Sequence, residues 1–223
     1  FARSSFNAVL RGEYDYLDAL VESNSCDNRG KTYDMYRSFS KIPSIYFINN
    51  PITNTDKAQQ FFHREVVKFK EWLEQTFNKS ISRESLSNAV RVYNENRTLL
   101  RRIYDLRAEK PPLVSGVEFM ELALSGFLMP REEHSRLLKG FLDDVVDRSD
   151  LPREGVRLLV SGSVVDNVEL VRLVESVGAS VVADDLCTGS RYFWNLVSSE
   201  GDPLRAIAER YLNKVPSSFM YLR

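Results

Sequence analysis

Residues 156–189 read VRLLVSGSVVDNVELVRLVESVGASVVADDLCTG, and this stretch decides the fold class. Val156–Val160 is a short apolar run that predicts a buried strand, and Ser180–Ala183 predicts a second one. Between them, Asp166 with Glu169 predicts the cap of a helix. A crossover helix between two strands favours parallel pairing, because antiparallel neighbours can be joined by a tight turn. The stretch therefore predicts part of an α/β domain.

The same order of elements occurs near the start of the chain. Leu17–Val21 and Ser44–Ile48 (SIYFI) are apolar runs typical of buried strands. Asn28–Ser38, which lies between them, predicts a short helix. We therefore expect residues 1–55 to form part of a first α/β domain and residues 151–223 to form part of a second.

The chain between these two segments has the hydrophobic period of α-helices. Along a first predicted helix, apolar residues recur every three or four positions at Ala58, Phe62, Val66, Phe69, Leu73 and Phe77. A second helix is predicted over residues 86–106, where a similar series ends before two prolines. Ser115 with Glu118 has the spacing of a capping box for a third helix, and Pro130 suits the first turn of a fourth. We expect residues 56–150 to form a helical connecting block.

Composition and charge argue against two classes of partner. The 223 residues contain 30 Lys and Arg against 31 Asp and Glu, so no basic field attracts a nucleic acid. No apolar run approaches the ~20 residues that a membrane helix needs, so no membrane partner is expected. The two cysteines do not form a disulfide scaffold, which favours a reducing, cytoplasmic location. Because the first residue is Phe rather than Met, we expect a fragment or a processed piece.

Both cysteines follow a predicted strand. Cys26 comes after LDALVESNS, and Cys187 comes after SVVADDL. Ligands of open α/β sheets bind beyond the carboxyl ends of strands, so both thiols lie where a site would be. The alternative is that both are packed structural residues, since free cysteine is among the most buried residue types.

The turn Ser161, Gly162, Ser163 is a candidate cofactor-binding loop. It could direct backbone N–H groups at an anion near the start of the following helix, but an ordinary strand-to-helix turn is the favoured interpretation. Asp184 and Asp185 could bind a metal or orient a substrate, or they could only accept backbone hydrogen bonds. No residue is assigned a catalytic role.

Two histidines and a run of three aromatic residues each have a structural interpretation as well as a functional one. His63 and His134 lie in predicted helices among many charged residues, and neither has a neighbouring nucleophile or a second ligand at i+4, so both are predicted to be solvated on helix faces. The aromatic run Tyr192, Phe193, Trp194 could form the wall of an acyl pocket or could pack a helix on the sheet.

An ordered series of segments carries a family resemblance. They are RGEYDYLDALV leading into SCDN, SIYFIN followed by proline, VYNENRTLLRRIYDLR, LVSGSVVDN, LVESVGASVVADDLCTGSRYFW and AERYLNKVP. In this order and spacing the chain resembles the family of 2-hydroxyacyl-CoA dehydratase and benzoyl-CoA reductase subunits, of the 2-hydroxyglutaryl-CoA dehydratase D-component type. The resemblance extends over nearly the whole chain.

The resemblance implies two doubly wound parallel-sheet domains of Rossmann or flavodoxin type, joined by helices and each incomplete in this chain. It also implies a heterodimer with a second homologous subunit and a [4Fe-4S] cluster held by three cysteines per subunit. Cys26, in SCDN, is carried over as a cluster ligand, and Cys187 is either a second ligand or a pocket residue. Relatives often have Pro-Cys where this chain has Pro216 and Ser217.

The chemistry implied by the resemblance is the one-electron reduction of an acyl-CoA thioester to a ketyl radical. An ATP-dependent activator protein would donate the electron through the cluster. A dehydratase would then expel a hydroxyl group, whereas a reductase would reduce an aromatic ring. We favour the dehydratase, with the ring reductase and a cluster-free structural subunit as alternatives. The site is expected in the cleft between the two α/β segments, with Cys26 facing Cys187.

Overall fold

The structure is a computed structural model that describes residues 2–24, 27–150 and 155–214. Its elements follow in chain order: α1 (Ala2–Leu10), β1 (Ala19–Ser23), α2 (Asp27–Phe39), β2 (Ser44–Ile48), α3 (Asp56–Phe77), α4 (Arg83–Leu106), α5 (Gly116–Ser125), α6 (Arg131–Val146), β3 (Val156–Ser161), α7 (Val168–Ser176), β4 (Ala179–Asp185), α8 (Ser190–Phe193) and α9 (Pro203–Leu212). The protein is a mixed α/β molecule. Within these ranges, no helix has both the length and the apolar character needed to cross a bilayer.

The strands form two separate parallel pairs, as the sequence predicts. The prediction that Val156–Val160 is a buried strand is wrong: Val156 and Leu159 are 69% and 63% exposed, because α5, α7 and α8 pack against β4. β1 pairs with β2 from Ala19 opposite Ser44, and β3 pairs with β4 from Val156 opposite Ala179. β1 begins two residues later than predicted, because the Leu17 amide donates to the Tyr14 carbonyl in a turn. β4 extends two residues further than predicted, since its ladder with β3 continues to Asp185. The doubly wound architecture stays a prediction.

The described chain forms two compact units. One contains the residues up to Leu86 together with Glu200–Asn213, and the other contains Ser87–Ser199. The predicted division into residues 1–55, 56–150 and 151–223 stays a prediction.

In the first unit, α2 and α3 pack against the β1–β2 pair, and α9 packs against α3. Thr55 caps α3 by accepting a hydrogen bond from the Ala58 amide, and α3 ends at Asn78 in the left-handed conformation, at φ 50°. α9 begins as predicted, with Asp202 as its N-cap and Pro203 in its first turn.

In the second unit, the main core lies between helices α4, α5, α6 and α8. Leu100, Ile103 and Leu138 are fully buried there, and Phe193 is 1% exposed. The predicted capping box of α5 is confirmed, because the Ser115 and Glu118 side chains bond each other's backbone amides. The predicted cap of α7 is wrong by one residue.

Asn167, rather than Asp166, caps α7, because its side-chain oxygen accepts a hydrogen bond of 3.0 Å from the Glu169 amide.

A second small core joins α5 and α7 to β4 through Val117, Met120, Val171 and Val181. Gly116 is the point of close approach, since a Cβ atom there would lie 2.6 Å from the Val181 Cβ. These contacts fix the position of β4, whose carboxyl end carries the candidate site.

Candidate functional site

β4 ends in two carboxylates, and each is held by an arginine from elsewhere in the second unit. The side chain of Asp184 is 5% exposed, and its Oδ2 accepts a hydrogen bond of 2.7 Å from Arg107 Nη2. Its Oδ1 accepts the Ser190 amide at 2.7 Å. Gly189 is required in this turn, because a Cβ atom there would clash with Asp184 Oδ1. Asp184 therefore connects the end of α4 to the start of α8.

Arg107 is buried against aromatic rings. Its guanidinium carbon lies 3.9 Å from the centroid of Phe119 and 4.4 Å from that of Tyr104. Burial lowers the pKa of Arg107, and its contact with Asp184 opposes that shift. Arg107 and Asp184 therefore form a buried ion pair beside the aromatic rings of Phe119 and Tyr104.

Asp185 forms a bidentate pair with Arg191. Arg191 Nε donates to Asp185 Oδ1 at 2.6 Å, and Nη2 donates to Oδ2. The hydrogen bond from Arg191 holds the pKa of Asp185 below its ordinary value. Burial opposes the charge on Arg191, but its bonds to Asp185 and Cys187 outweigh burial and raise the pKa of the guanidinium.

Cys187 is a free, half-buried thiol beside this pair. Its Sγ lies 3.7 Å from Arg191 Nη1, and its amide donates to the Ser163 carbonyl at 2.7 Å. Arg191 Nη1 also donates to the Gly162 carbonyl at 3.0 Å. The structure thus brings Cys187 together with the loop formed by Ser161, Gly162 and Ser163.

The backbone of this loop is partly engaged within the protein. The Gly162 amide donates to the Asp185 carbonyl at 3.2 Å, and the Ser161 hydroxyl donates to the Asp185 side chain at 3.3 Å. α7 begins five residues after Ser163, at Val168. A cofactor-binding role for these three residues stays a prediction.

Cys26 lies outside the described residues, so its predicted approach to Cys187 stays a prediction.

The three aromatic residues that follow Cys187, Tyr192 to Trp194, lie in different environments. Phe193 is buried in the core, whereas Trp194 is 45% exposed and carries the Arg101 guanidinium 3.6 Å from its ring centroid. Tyr192 packs on Phe127, with ring centroids 5.2 Å apart. Packing in the core therefore accounts for Phe193, in agreement with the structural interpretation of the aromatic run.

The metal-binding side chains among the described residues do not form a site for an iron–sulfur cluster. Across these residues, no group of three or more His, Cys, Asp or Glu side chains is placed to hold a metal ion. Cys187 is the one free thiol that the described part of the chain contains. An iron–sulfur cluster needs several thiolates, so the described residues supply at most one ligand.

The prediction for His134 is wrong. This histidine is fully buried rather than solvated, because its ring fills the space between α4, α5 and α6. Its Nδ1 lies 2.9 Å from Asn96 Nδ2, and its Nε2 lies 2.9 Å from the Leu122 carbonyl oxygen. His63 has a side-chain exposure of 35%, with Nε2 3.3 Å from Asp202 Oδ2.

Sequence reasoning missed both arginines of the site. Arg107 follows Leu100 and Tyr104 at helical spacing, so a charged residue continues the buried stripe of α4. That pattern is the one signal that could have identified it. Arg191 stands four residues after Cys187, and nothing in the sequence distinguishes it from a surface arginine.

Comparison with known proteins identifies the family. The family model described as 2-hydroxyglutaryl-CoA dehydratase, D-component, matches residues 1–223. The chain belongs to this D-component family. The site at the end of β4 is therefore a feature of a D-component chain.

Curated D-component relatives have different activities in their names. The chain is 26% identical to a benzoyl-CoA reductase subunit of Thauera aromatica over 95% of its own length and 56% of the relative's. It is 24% identical to the (R)-phenyllactyl-CoA dehydratase beta subunit of Clostridium sporogenes over 95% and 57%. It is 27% identical to the lactoyl-CoA dehydratase beta subunit of Anaerotignum propionicum, again over 95% and 57%. The chain thus spans little more than half the length of these relatives.

Proposed function

We propose that this chain is part of a subunit of an iron–sulfur-dependent (R)-2-hydroxyacyl-CoA dehydratase. The observation that carries the proposal is the family match over all 223 residues, together with relatives named as dehydratase subunits. The cluster would be a [4Fe-4S] cluster, and when bound it would supply one-electron reduction of a CoA thioester.

The end of β4 supports this proposal through the chemistry of its side chains. Cys187 offers a thiol at the carboxyl end of a parallel strand, which is where open α/β sheets bind ligands. Arg191 places a guanidinium 3.7 Å from the sulfur, so a positive charge lies beside the proposed ligand atom. Cys26, carried over from the resemblance, is the second proposed ligand. The remaining thiolates would come from sequence beyond these 223 residues.

The proposed partners follow from the same relatives. Each is named as a subunit, so we propose a second homologous subunit. An ATP-dependent activator protein is proposed as the electron donor, and an acyl-CoA as the substrate.

A ring reductase of the benzoyl-CoA type is the second candidate, and the relative from Thauera aromatica favours it. Supplying the purified complex with either a 2-hydroxyacyl-CoA or benzoyl-CoA separates the two activities. Formation of an enoyl-CoA without ring reduction supports the dehydratase. Ring reduction without dehydration replaces it with the reductase.

Iron binding is tested on the full-length protein, reconstituted anaerobically with iron and sulfide. We expect Cys187→Ser and Cys26→Ser each to lower the iron and sulfide content and to abolish the visible sulfur-to-iron absorption, because a hydroxyl is a poor iron ligand. Ser176→Ala, at the exposed end of α7, is the control and should retain both. A full-length wild-type protein that takes up no iron would leave the cluster-free structural subunit as the function.

A further inference from the structure

Three arginine side chains are buried among the described residues of the second unit. Arg97, Arg107 and Arg191 are 3%, 1% and 4% exposed. A carboxylate balances two of them, since Arg107 pairs with Asp184 and Arg191 pairs with Asp185. Arg97 forms no ion pair with any described residue. A buried charge without a counter-charge is costly, so Arg97 is the exception that needs a cause.

The described surroundings satisfy Arg97 only in part. Its Nη1 donates to Asn94 Oδ1 at 3.3 Å, and its buried Nε has no acceptor among the described residues. Its guanidinium carbon lies 5.6 Å from the ring centroid of Tyr93 and 5.8 Å from that of Tyr192. Aromatic faces attract a cation, but they carry no net negative charge. The positive charge of Arg97 therefore stays unbalanced there.

A second arginine approaches the same two rings. The guanidinium carbon of Arg131 lies 5.2 Å from the centroid of Tyr93 and 5.1 Å from that of Tyr192. Its Nη1 donates to Asn96 Oδ1 at 3.4 Å, and it too forms no ion pair with a described residue. Two cations thus share one aromatic cluster without a carboxylate.

The cluster reaches the protein surface through Arg131 and two rings. Arg131 is half-buried, and the side chains of Tyr93 and Phe127 are 40% and 48% exposed. The Phe127 centroid lies 5.8 Å from the Arg131 guanidinium carbon. An anion at this surface contacts Arg131 directly. Arg97 lies beneath, where the low dielectric of the interior strengthens its attraction for the anion.

The start of α6 contributes charges of both signs. Arg131 is the first residue of α6, and its N-cap Pro130 makes no side-chain hydrogen bond, so the positive end of the helix adds to the field. Glu132 and Glu133 in the same turn oppose it. Both are exposed, so water and salt screen their charges more than that of Arg97.

We propose that Arg97 and Arg131, with the rings of Tyr93 and Phe127, form a binding site for the phosphate groups of a nucleotide. Guanidinium groups match the geometry of phosphate oxygens, and the exposed rings beside them offer faces on which a base stacks. A simple carboxylate would use the arginines but not the rings. Tyr192 connects this cluster to the candidate site, because α8 begins three residues after Cys187.

Two nucleotides supply this chemistry. One is the phosphorylated ADP portion of CoA, and this source rests on the proposed function. The other is a free nucleotide such as ADP, which does not. Calorimetric titration of the full-length protein with CoA, with ADP and with inorganic pyrophosphate distinguishes them.

We expect Arg131→Met and Arg97→Met each to weaken nucleotide binding by at least about tenfold, because each removes a positive charge that faces the phosphates. Arg97→Lys keeps the charge and should weaken binding by less than about threefold. Thermal unfolding verifies that each variant is folded. Arg131→Met, at the half-buried position, keeps the test available if Arg97→Met does not fold.

Arg101→Met is the matched control. Arg101 lies on the same helix as Arg97 and stacks on Trp194 at 3.6 Å, but Asp105 balances its charge at 2.9 Å. Its replacement should change nucleotide affinity by less than about twofold. A loss in Arg101→Met equal to that in Arg131→Met overturns the proposal, because binding would then follow total charge rather than this cluster.

The ligand that loses affinity identifies the source. Weaker binding of CoA but not of ADP in Arg131→Met supports a site for CoA, and the reverse supports a site for a free nucleotide. Unchanged binding of CoA, ADP and pyrophosphate in Arg131→Met overturns the proposal, as does a wild-type protein that binds none of them. No readout depends on dehydration or ring reduction, so failure of the proposed activity would be seen separately.

Discussion

Arg107 and Asp184 form an ion pair of 2.7 Å in which the side chains are only 2% and 5% exposed. The pair joins the end of α4 to the end of β4, across 77 residues of sequence. Because Asp184 also accepts the Ser190 amide, the same carboxylate determines where β4 ends and α8 begins. The geometry around Cys187 therefore depends on a buried charge contributed by the helical part of the unit.

Breaking this pair from one side should be strongly destabilising. Asp184→Asn keeps a side-chain oxygen for the Ser190 amide but leaves the Arg107 guanidinium buried without its counter-charge. We expect a loss of about 3–5 kcal/mol in the free energy of unfolding, measured by urea denaturation. The double variant Arg107→Met, Asp184→Asn should lose less than the sum of the two single variants, since no unpaired charge remains.

An exposed ion pair in the same unit provides the control. Lys139 and Glu95 pair at exposures of 54% and 38%, so Lys139→Met should cost at most about 1 kcal/mol. Equal losses for Asp184→Asn and Lys139→Met would show that the buried pair contributes no more than a surface contact.

The elements themselves were predictable because their causes are local. The strand Ser44–Ile48 and the capping box at Ser115 need only neighbouring residues, and both occur at the predicted positions. The separation into two parallel pairs was predictable for the same reason, since each crossover helix lies between its own strands. Errors of one or two residues arose where a turn or a longer ladder competed, as at Leu17 and Asp185.

The site was less predictable, because its contacts join residues that are distant in sequence. The position of Cys187 after a strand could be inferred, but not the arginine that holds Asp184. His134 was assigned to solvent because charged residues surround it in sequence. In the structure Asn96, 38 positions earlier, provides the partner that permits its burial.

The arginine beside Cys187 should control the reactivity of that thiol. The Arg191 guanidinium lies 3.7 Å from the Cys187 sulfur, and a cation at this distance attracts an anionic reagent to the thiol. We expect Arg191→Met in the iron-free, full-length protein to slow the alkylation of Cys187 by the anion iodoacetate by at least about threefold, and to slow alkylation by neutral iodoacetamide less. Peptide mapping after timed treatment with each reagent measures the two rates.

The comparison needs a reference for the amount of reagent. Alkylation of each variant after denaturation in urea gives that reference. Arg172→Met removes an exposed arginine of α7 that pairs with Glu121 and Glu169 rather than with the thiol, so it should leave the Cys187 rate unchanged. An unchanged rate in Arg191→Met would mean that the guanidinium does not act on the sulfur.

The buried histidine should make folding sensitive to acid. Burial lowers the pKa of His134 from 6.5; its bond to the Leu122 carbonyl opposes the shift, and Arg131 adds to it. Since the unfolded chain then binds the proton more readily, stability is complete above the unfolded pKa and is lost as the pH falls through the interval towards the folded value. The loss should reach up to about 1.4 kcal/mol per pH unit in that interval.

Urea denaturation at about pH 7.5 and about pH 5.5 measures this effect. We expect His134→Gln to be less stable than wild type at the higher pH but to lose less stability on acidification. Leu137→Gln, which changes an uncharged residue of the same helix at a 43% exposed position, should leave the pH dependence in place. An identical pH dependence in wild type and His134→Gln would show that His134 does not cause the loss of stability in acid.

Two glycine-to-alanine variants should have opposite effects because their surroundings differ. At Gly126, a Cβ atom would lie 2.6 Å from His134 Cε1 and 2.8 Å from its Nδ1, so Gly126→Ala must displace the buried ring. The backbone at φ −63° suits any residue, so the cost is steric, and we expect a loss of about 1–3 kcal/mol. At Gly140, inside α6, a Cβ atom meets nothing within 4 Å, so Gly140→Ala should stabilise by about 0.5–1 kcal/mol through helix propensity. Urea denaturation of both variants measures the difference, and an unchanged or increased stability of Gly126→Ala would mean that the His134 ring does not closely fill the space beside Gly126.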